Sequence, residues 1–229
     1  MSEPADVAVL FSGGLDSAVL LAIAARQGIV QPIYVSVGLA WERHELAVAA
    51  RLVESGAYGG RFQPVVRPVR ALSLDMRDVY PASHWAIRGE APGFDTPDQD
   101  VYIDGRNIVL LSKAAVFLAR SGIARVLIGP LAGNPFPDAS RAFFDAMQLA
   151  LSIGLAAPLA IEAPLAAMHK AEVITLGAEL GVPLELTLSC MQPEAAVHCG
   201  RCSKCRERRD GFIEAGVADR TVYLTRPSR

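Results

Sequence analysis

The chain has 229 residues, 52% of them hydrophobic, and a formal charge of −2. That length suffices for one α/β domain with a buried core and a small appendage. The composition excludes a disordered chain, the charge offers no general attraction to nucleic acid, and no stretch approaches the roughly 20 apolar residues of a membrane span. The acidic start Met1-Ser2-Glu3-Pro4-Ala5-Asp6 leads at once into a core strand, unlike a signal peptide. All four cysteines fall within residues 190–205, which argues for a local metal site rather than disulfides spread through a secreted fold. A cytoplasmic protein is expected.

Val7-Ala8-Val9-Leu10-Phe11 is a short unbroken apolar run, the mark of a strand buried on both faces. It leads into Phe11-Ser12-Gly13-Gly14-Leu15-Asp16-Ser17-Ala18, after which Val19, Leu20, Ala22 and Ile23 carry a helix that stops near Gly28. A Gly pair between strand and helix allows a tight turn whose free N–H groups point at an anion. Ser12 and Ser17 add hydroxyl donors, and Asp16 is a carboxylate placed to hold Mg²⁺ beside a phosphate. The loop lacks the Gly-Lys-Ser/Thr ending of a Walker A motif and the Gly-x-Gly-x-x-Gly of a dinucleotide site. An ordinary Gly-rich turn with a serine cap is the competing reading.

Residues 32–37 read as a second strand, 45–55 as a helix through Leu46, Ala49, Ala50 and Val53, and 62–66 as a third strand. Such alternation calls for right-handed crossovers and a parallel sheet, whose ligands sit at the carboxyl ends of the strands. The loops after Phe11, Val37 and Pro68 are therefore expected to share one crevice. Residues 72–104, rich in Pro, Gly, Asp and aromatics, read as a substrate lid or partner surface, or as a solvated excursion with one or two short helices. His84 and Trp85 within it carry no functional reading. Gly105-Arg106-Asn107 opens an amphipathic helix that closes near Gly122. Arg125-Val126-Leu127-Ile128 is a fourth strand, 129–140 a Gly/Pro/Asn loop, 141–151 a helix and 159–162 a fifth strand. Lys170-Ala171-Glu172 starts a helix ending at Gly181. The expected fold is α/β and Rossmann-like, with a parallel sheet of about five strands and helices on both faces over residues 1–185. Residues 186–229 are expected to form a small C-terminal zinc-binding segment packed on it.

That segment carries Cys190, Cys199, Cys202 and Cys205 as Cys-x₈-Cys-x₂-Cys-x₂-Cys. Two residues between thiolates let a tight turn present both sulfurs to one ion, and the first cysteine completes a tetrahedron. The pattern fits a closed, structural Zn²⁺ site. His198 in place of one cysteine, a cubane iron–sulfur cluster, and free or redox cysteines are the alternatives. Lys204, Arg206, Arg208 and Arg209 read mainly as a solvated helix face, or as an aid in holding phosphate or RNA.

Ser12-Gly13-Gly14-Leu15-Asp16-Ser17 resembles the Ser-Gly-Gly-x-Asp-Ser loop of the ATP pyrophosphatases, adenine nucleotide alpha hydrolase-like proteins that adenylate a substrate oxygen. Taken with Gly105-Arg106-Asn107, Lys170-Ala171-Glu172, Leu180-Gly181-Val182-Pro183, Ser189-Cys190 and His198-Cys199-Gly200-Arg201-Cys202-Ser203-Lys204-Cys205, it is similar, in order and over most of the chain, to the 7-cyano-7-deazaguanine synthase (QueC-like) family. Trp41-Glu42-Arg43-His44 lies where that family has Gly-Gln-Arg-His.

The resemblance implies ATP-dependent conversion of 7-carboxy-7-deazaguanine and ammonia to the nitrile, through adenylated carboxylate and amide, by a homodimer acting on a small molecule. It implies that Phe11 to Ser17 bind ATP, that Asp16 with Mg²⁺, Lys170 and Arg106 stabilise the leaving pyrophosphate, and that Arg43, His44, Asn107 and Asp138 meet the substrate. Four of these have a plainer reading: Lys170 as a first-turn helix residue, Arg106 as a surface cation, Asn107 as a helix cap, His44 as a polar loop residue. Two stretches depart from the family. Phe136-Pro137-Asp138-Ala139-Ser140-Arg141-Ala142-Phe143 stands for Tyr-Pro-Asp-Cys-Arg-Pro-Glu-Phe, and Trp41-Glu42 for Gly-Gln. Both are expected at the substrate end, where each unmatched polar partner costs about 1–3 kcal/mol. The competing functions are a divergent paralogue that makes an amide or conjugate from a related deazapurine carboxylate, and a zinc-containing tRNA-modifying protein.

Overall fold

The computed structural model describes residues 5–54 and 66–226. Five strands form one all-parallel sheet: β1 (Val7–Leu10), β2 (Val30–Ser36), β3 (Arg70–Ser73), β4 (Arg125–Leu127) and β5 (Ala160–Glu162), in the spatial order β3-β2-β1-β4-β5. The pleat of β1 sends Val7 and Val9 into one apolar cluster and Ala8 into the other, which is why its run is apolar throughout. α1 (Leu15–Ala24), α2 (Glu42–Glu54), α6 (Lys170–Leu180) and α7 (Ser203–Ala215) supply the first cluster. α4 (Arg106–Ser121) and α5 (Arg141–Leu155) supply the second. Chain order reverses between β1 and β4, so the connections leaving them diverge and open a crevice at their carboxyl ends.

The expected fold class stands, with shifts at element ends. The strand expected at 62–66 lies outside the described residues, save that Val66 bridges Val30. The edge strand β3 follows instead, pairing Arg70 to Ser73 with Ile33 to Ser36. α2 begins three residues earlier than expected, at Glu42, whose carboxylate accepts from the Val37 and Gly38 amides and the Ser36 hydroxyl.

The excursion after β3 holds one helical turn, α3 (Trp85–Arg88), and a 3₁₀ turn at Asp98–Val101. It is fastened to α7. Gly93 pairs with Cys202, Ser203 N donates to the Pro92 carbonyl at 3.3 Å, and the Arg209 guanidinium lies 4.7 Å over the Phe94 ring. The C-terminal residues are fastened to the first loop as well, since Leu188 N donates to the Gly13 carbonyl at 2.9 Å. The four cysteines and Phe212 belong to the same apolar cluster as β1 and α1.

Candidate functional site

The turn after β1 is shaped by a close approach. Gly13 has φ of +76°, and a Cβ there would stand 2.9 Å from the Ala49 amide of α2, so only glycine fits. The Ser12 hydroxyl accepts from Gly14 N at 3.2 Å and lies 3.3 Å from the Ser17 hydroxyl, which donates to the Gly14 carbonyl. These bonds hold the start of α1 open toward the crevice, where amides and helix dipole favour an anion.

Asp16, in the first turn of α1, meets Lys170, the first residue of α6, with both carboxylate oxygens at 2.6 and 2.8 Å. Lys170 also contacts Glu207 of α7 at 2.7 Å, and Glu207 contacts Lys204 at 2.6 Å. Burial works against the charge on Lys170, but the Asp16 and Glu207 carboxylates outweigh it and hold the ammonium above its ordinary pKa. Burial likewise opposes the charge on Glu207, and Lys170 and Lys204 draw its carboxyl down to about 2. The loop thus faces four alternating charges fixed in place.

A cavity of about 340 Å³ runs from Ser12, Asp16 and Lys170 to a second end near Trp41, Trp85 and Arg106, within the range of small-molecule sites. Asn107 and Asp138 are joined there: Asn107 N donates to Asp138 Oδ2 and its side-chain amide to the Asp138 carbonyl, each at 2.9 Å. Burial lifts the Asp138 carboxyl above the usual range. Arg106 lines the cavity and its Nε is buried with no hydrogen-bond partner among the described residues, an orphan donor at a binding site. Arg43 and His44 are placed differently. They do not line the cavity, and Arg43 Nε donates to His44 Nε2 at 3.1 Å on the exposed side of α2. Tyr34, Glu45, Trp85, Ser189 and Glu207 line the cavity, although the sequence suggested no site role for them.

The departures fall unevenly. Phe136, Asp138 and Trp41 line the cavity, whereas Glu42 does not. Ser140 caps α5 through Phe143 N, and Arg141 pairs with Asp145 on the surface, so the stretch that differs most from the family serves a helix end. The basic residues of α7 are also engaged: Lys204 with Glu207, Arg206 with Asp98, Arg209 with Asp210. Arg208 is buried, bonding the Leu184 carbonyl and the Thr187, Ser189 and Thr221 hydroxyls. They do not make a solvated basic face.

The four cysteine sulfurs lie within 4.8 Å of one another, with separations of 3.6 Å (Cys202–Cys205) and 3.9 Å (Cys190–Cys202 and Cys199–Cys205). A tetrahedron of thiolates around one zinc at about 2.3 Å has edges of about 3.8 Å. The donor set fits a single Zn²⁺, while a cubane cluster spreads its thiolates over four separate irons. Backbone amides of Gln192 and Cys199 point at Cys190 Sγ and that of Arg201 at Cys199 Sγ, each at 3.3 Å, an arrangement that favours sulfur carrying negative charge. His198 stands outside the set, because its Nε2 accepts from Ser189 N at 3.1 Å.

The family model described as "Queuosine biosynthesis protein QueC" matches residues 6–216. The chain belongs to this family. A 7-cyano-7-deazaguanine synthase from Anaeromyxobacter dehalogenans (strain 2CP-C) is 36% identical over 97% of this chain and 97% of that protein. Those of Methanothrix thermoacetophila and Thermoplasma volcanium are 36% and 35% identical, over 93% and 98% of this chain and 96% and 93% of theirs. The Ser12–Ser17 loop, the cavity and the cysteine cluster all fall inside the matched span. No described helix is long and apolar enough to cross a membrane.

Proposed function

We propose that this enzyme of queuosine biosynthesis converts 7-carboxy-7-deazaguanine to 7-cyano-7-deazaguanine with ammonia and two molecules of ATP. The observation that carries the reading is the single cavity joining the Ser12–Ser17 loop to an aromatic, carboxylate-bearing end, in a chain whose near-full-length relatives bear that enzyme's name. ATP phosphates would lie on the loop amides and the Ser12 and Ser17 hydroxyls. Asp16 would hold Mg²⁺ together with phosphate oxygens, the ion neutralising charge as pyrophosphate leaves. Lys170 stabilises that charge from the first turn of α6, and Arg106, with its free Nε, meets either the α-phosphate or the carboxylate it activates. Ammonia displaces AMP from the first adenylate; a second adenylation, of the amide oxygen, and loss of AMP leave the nitrile.

The cysteine cluster plays no chemical part in this proposal. Zn²⁺ there ties Ser189 and α7, and through them Lys204 and Glu207, to the loop. Residues 1–185 then form the catalytic unit and 186–229 its brace, and a homodimer is the expected assembly.

Purified protein incubated with ATP, Mg²⁺, ammonium and 7-carboxy-7-deazaguanine is expected to yield the nitrile and two AMP per turnover by mass spectrometry. K170M is expected to lower AMP formation by about 100-fold or more, as for other lost donors to transition-state charge. An amide as sole product, or ATP cleavage with another acceptor, would favour the divergent-paralogue reading. No AMP from the native enzyme rejects adenylation of this substrate.

A further inference from the structure

At the loop end of the cavity, amides, hydroxyls and Lys170 suit phosphate. At the other end Trp41 and Trp85 lie stacked, ring centroids 5.6 Å apart and planes 10° apart, beside a carboxyl group. That carboxyl belongs to Glu45, one helical turn beyond Trp41, whose carbonyl accepts from Glu45 N at 3.2 Å. Glu45 Oε2 accepts from the Tyr34 hydroxyl at 3.0 Å, and the neighbouring Trp41 side chain and Arg106 guanidinium favour its charge. That bond anchors one oxygen of the carboxyl yet leaves most of its roughly four acceptor sites unused. An acceptor-rich group in an aromatic cavity is costly unless what enters presents donors to it. Glu42, three residues earlier, has no part in this, its oxygens being taken by Ser36, Val37 and Gly38.

We infer that Glu45 is the specificity residue for the heterocycle: its two oxygens take the ring N–H and exocyclic amino group of a guanine-type edge lying beside Trp41 and Trp85. This rests on the deazapurine reading above. A guanine-type edge offers two adjacent, parallel donors, which a carboxylate matches with a two-bond fork. An adenine-type edge sets a donor beside an acceptor and leaves one carboxylate oxygen against a ring lone pair. Glu45 therefore both selects the acceptor substrate and keeps the base of ATP from settling at the wrong end of the cavity.

Trp41 and Trp85 are the two tryptophans of the chain, so intrinsic fluorescence reports this end directly. Native protein, E45Q and E45A would be titrated with 7-carboxy-7-deazaguanine, with guanine and with ATP, thermal melts confirming that the variants fold. Both variants are expected to bind the two guanine-type probes at least tenfold more weakly and ATP within twofold of native. Native-strength guanine binding by E45Q, or ATP affinity lost in parallel, overturns the assignment. If native protein binds guanine but not 7-carboxy-7-deazaguanine, the functional reading falls, while native against E45Q on guanine still decides the part of Glu45. No response of native protein to either probe overturns both.

Discussion

Glu45 and Glu207 show how neighbours set a carboxyl's charge. Burial pushes the Glu45 carboxyl up from 4.5 to about 7, against the pull of Arg106 and the Tyr34 hydroxyl. A carboxyl raised in the fold contributes stability that is full below about 4.5 and is lost as pH rises through about 7. E45Q has no such titration. Its melting temperature is expected to gain on native from pH 5 to about pH 7 in parallel melts and then level off, and a difference that stays flat or shrinks across that window would count against the burial. Glu207 moves the other way: held down to about 2, it keeps stabilising the fold until strong acid. Neither behaviour was legible in the sequence, because Lys170 and Arg106 are brought to these carboxyls by separate helices. A local signal for Glu45 did exist. Trp41 and Glu45 are four apart, and residues at that spacing share a helix face.

Among the elements, the join of β1 to α1 tolerates least. Gly13 turns with positive φ under the Ala49 amide, so G13A must both strain the backbone and push α2 outward. The expected cost is about 1–3 kcal/mol of stability, measured by denaturant unfolding, with a weaker affinity for ATP by calorimetry. A G13A protein of native stability and ATP affinity would show that α2 is not packed against the loop. This join could be read from sequence because all its parts are contiguous: apolar strand, Gly pair, helix start. β3 could not. It is an edge strand in which Arg70, Ala71 and Ser73 are exposed, so no apolar run marks it. The helix at α2 was legible from its apolar spacing, but which of its polar residues face the cavity was not, and Arg43 and His44 turn outward where the family motif had put them with the substrate.

For the whole molecule, the cysteine cluster is a brace with two arms. One runs through Leu188 and Ser189 to the Gly13 carbonyl and the Leu15 amide, the other through Ser203 and Gly93 to the excursion that carries Trp85. The cover is equally tight: Thr225 N donates to the Cys199 carbonyl, and a Cβ at Gly200 would stand 1.6 Å from the Thr225 carbonyl oxygen. Stripping metal with a strong chelator is expected to lower the melting temperature by roughly 10 °C, since a domain of this size shifts about 2–4 °C per kcal/mol. Tryptophan emission should redden and ATP affinity fall together, all three returning with one equivalent of Zn²⁺. Unchanged emission after full metal loss would cut the second arm from this account. The four-cysteine spacing disclosed the cluster; which parts it fastens became visible only in the fold.

The order of the chain also sets an order in time. A ribosome releases all five strands before Cys190, so the sheet can assemble while the four-cysteine cluster does not yet exist. The Ser12–Ser17 loop emerges well over a hundred residues ahead of its supports at Leu188, Ser189 and Glu207. A partly made copy therefore has its sheet but not the contacts that hold this loop in place. The loop gains these supports only when the later cysteine segment closes back on it.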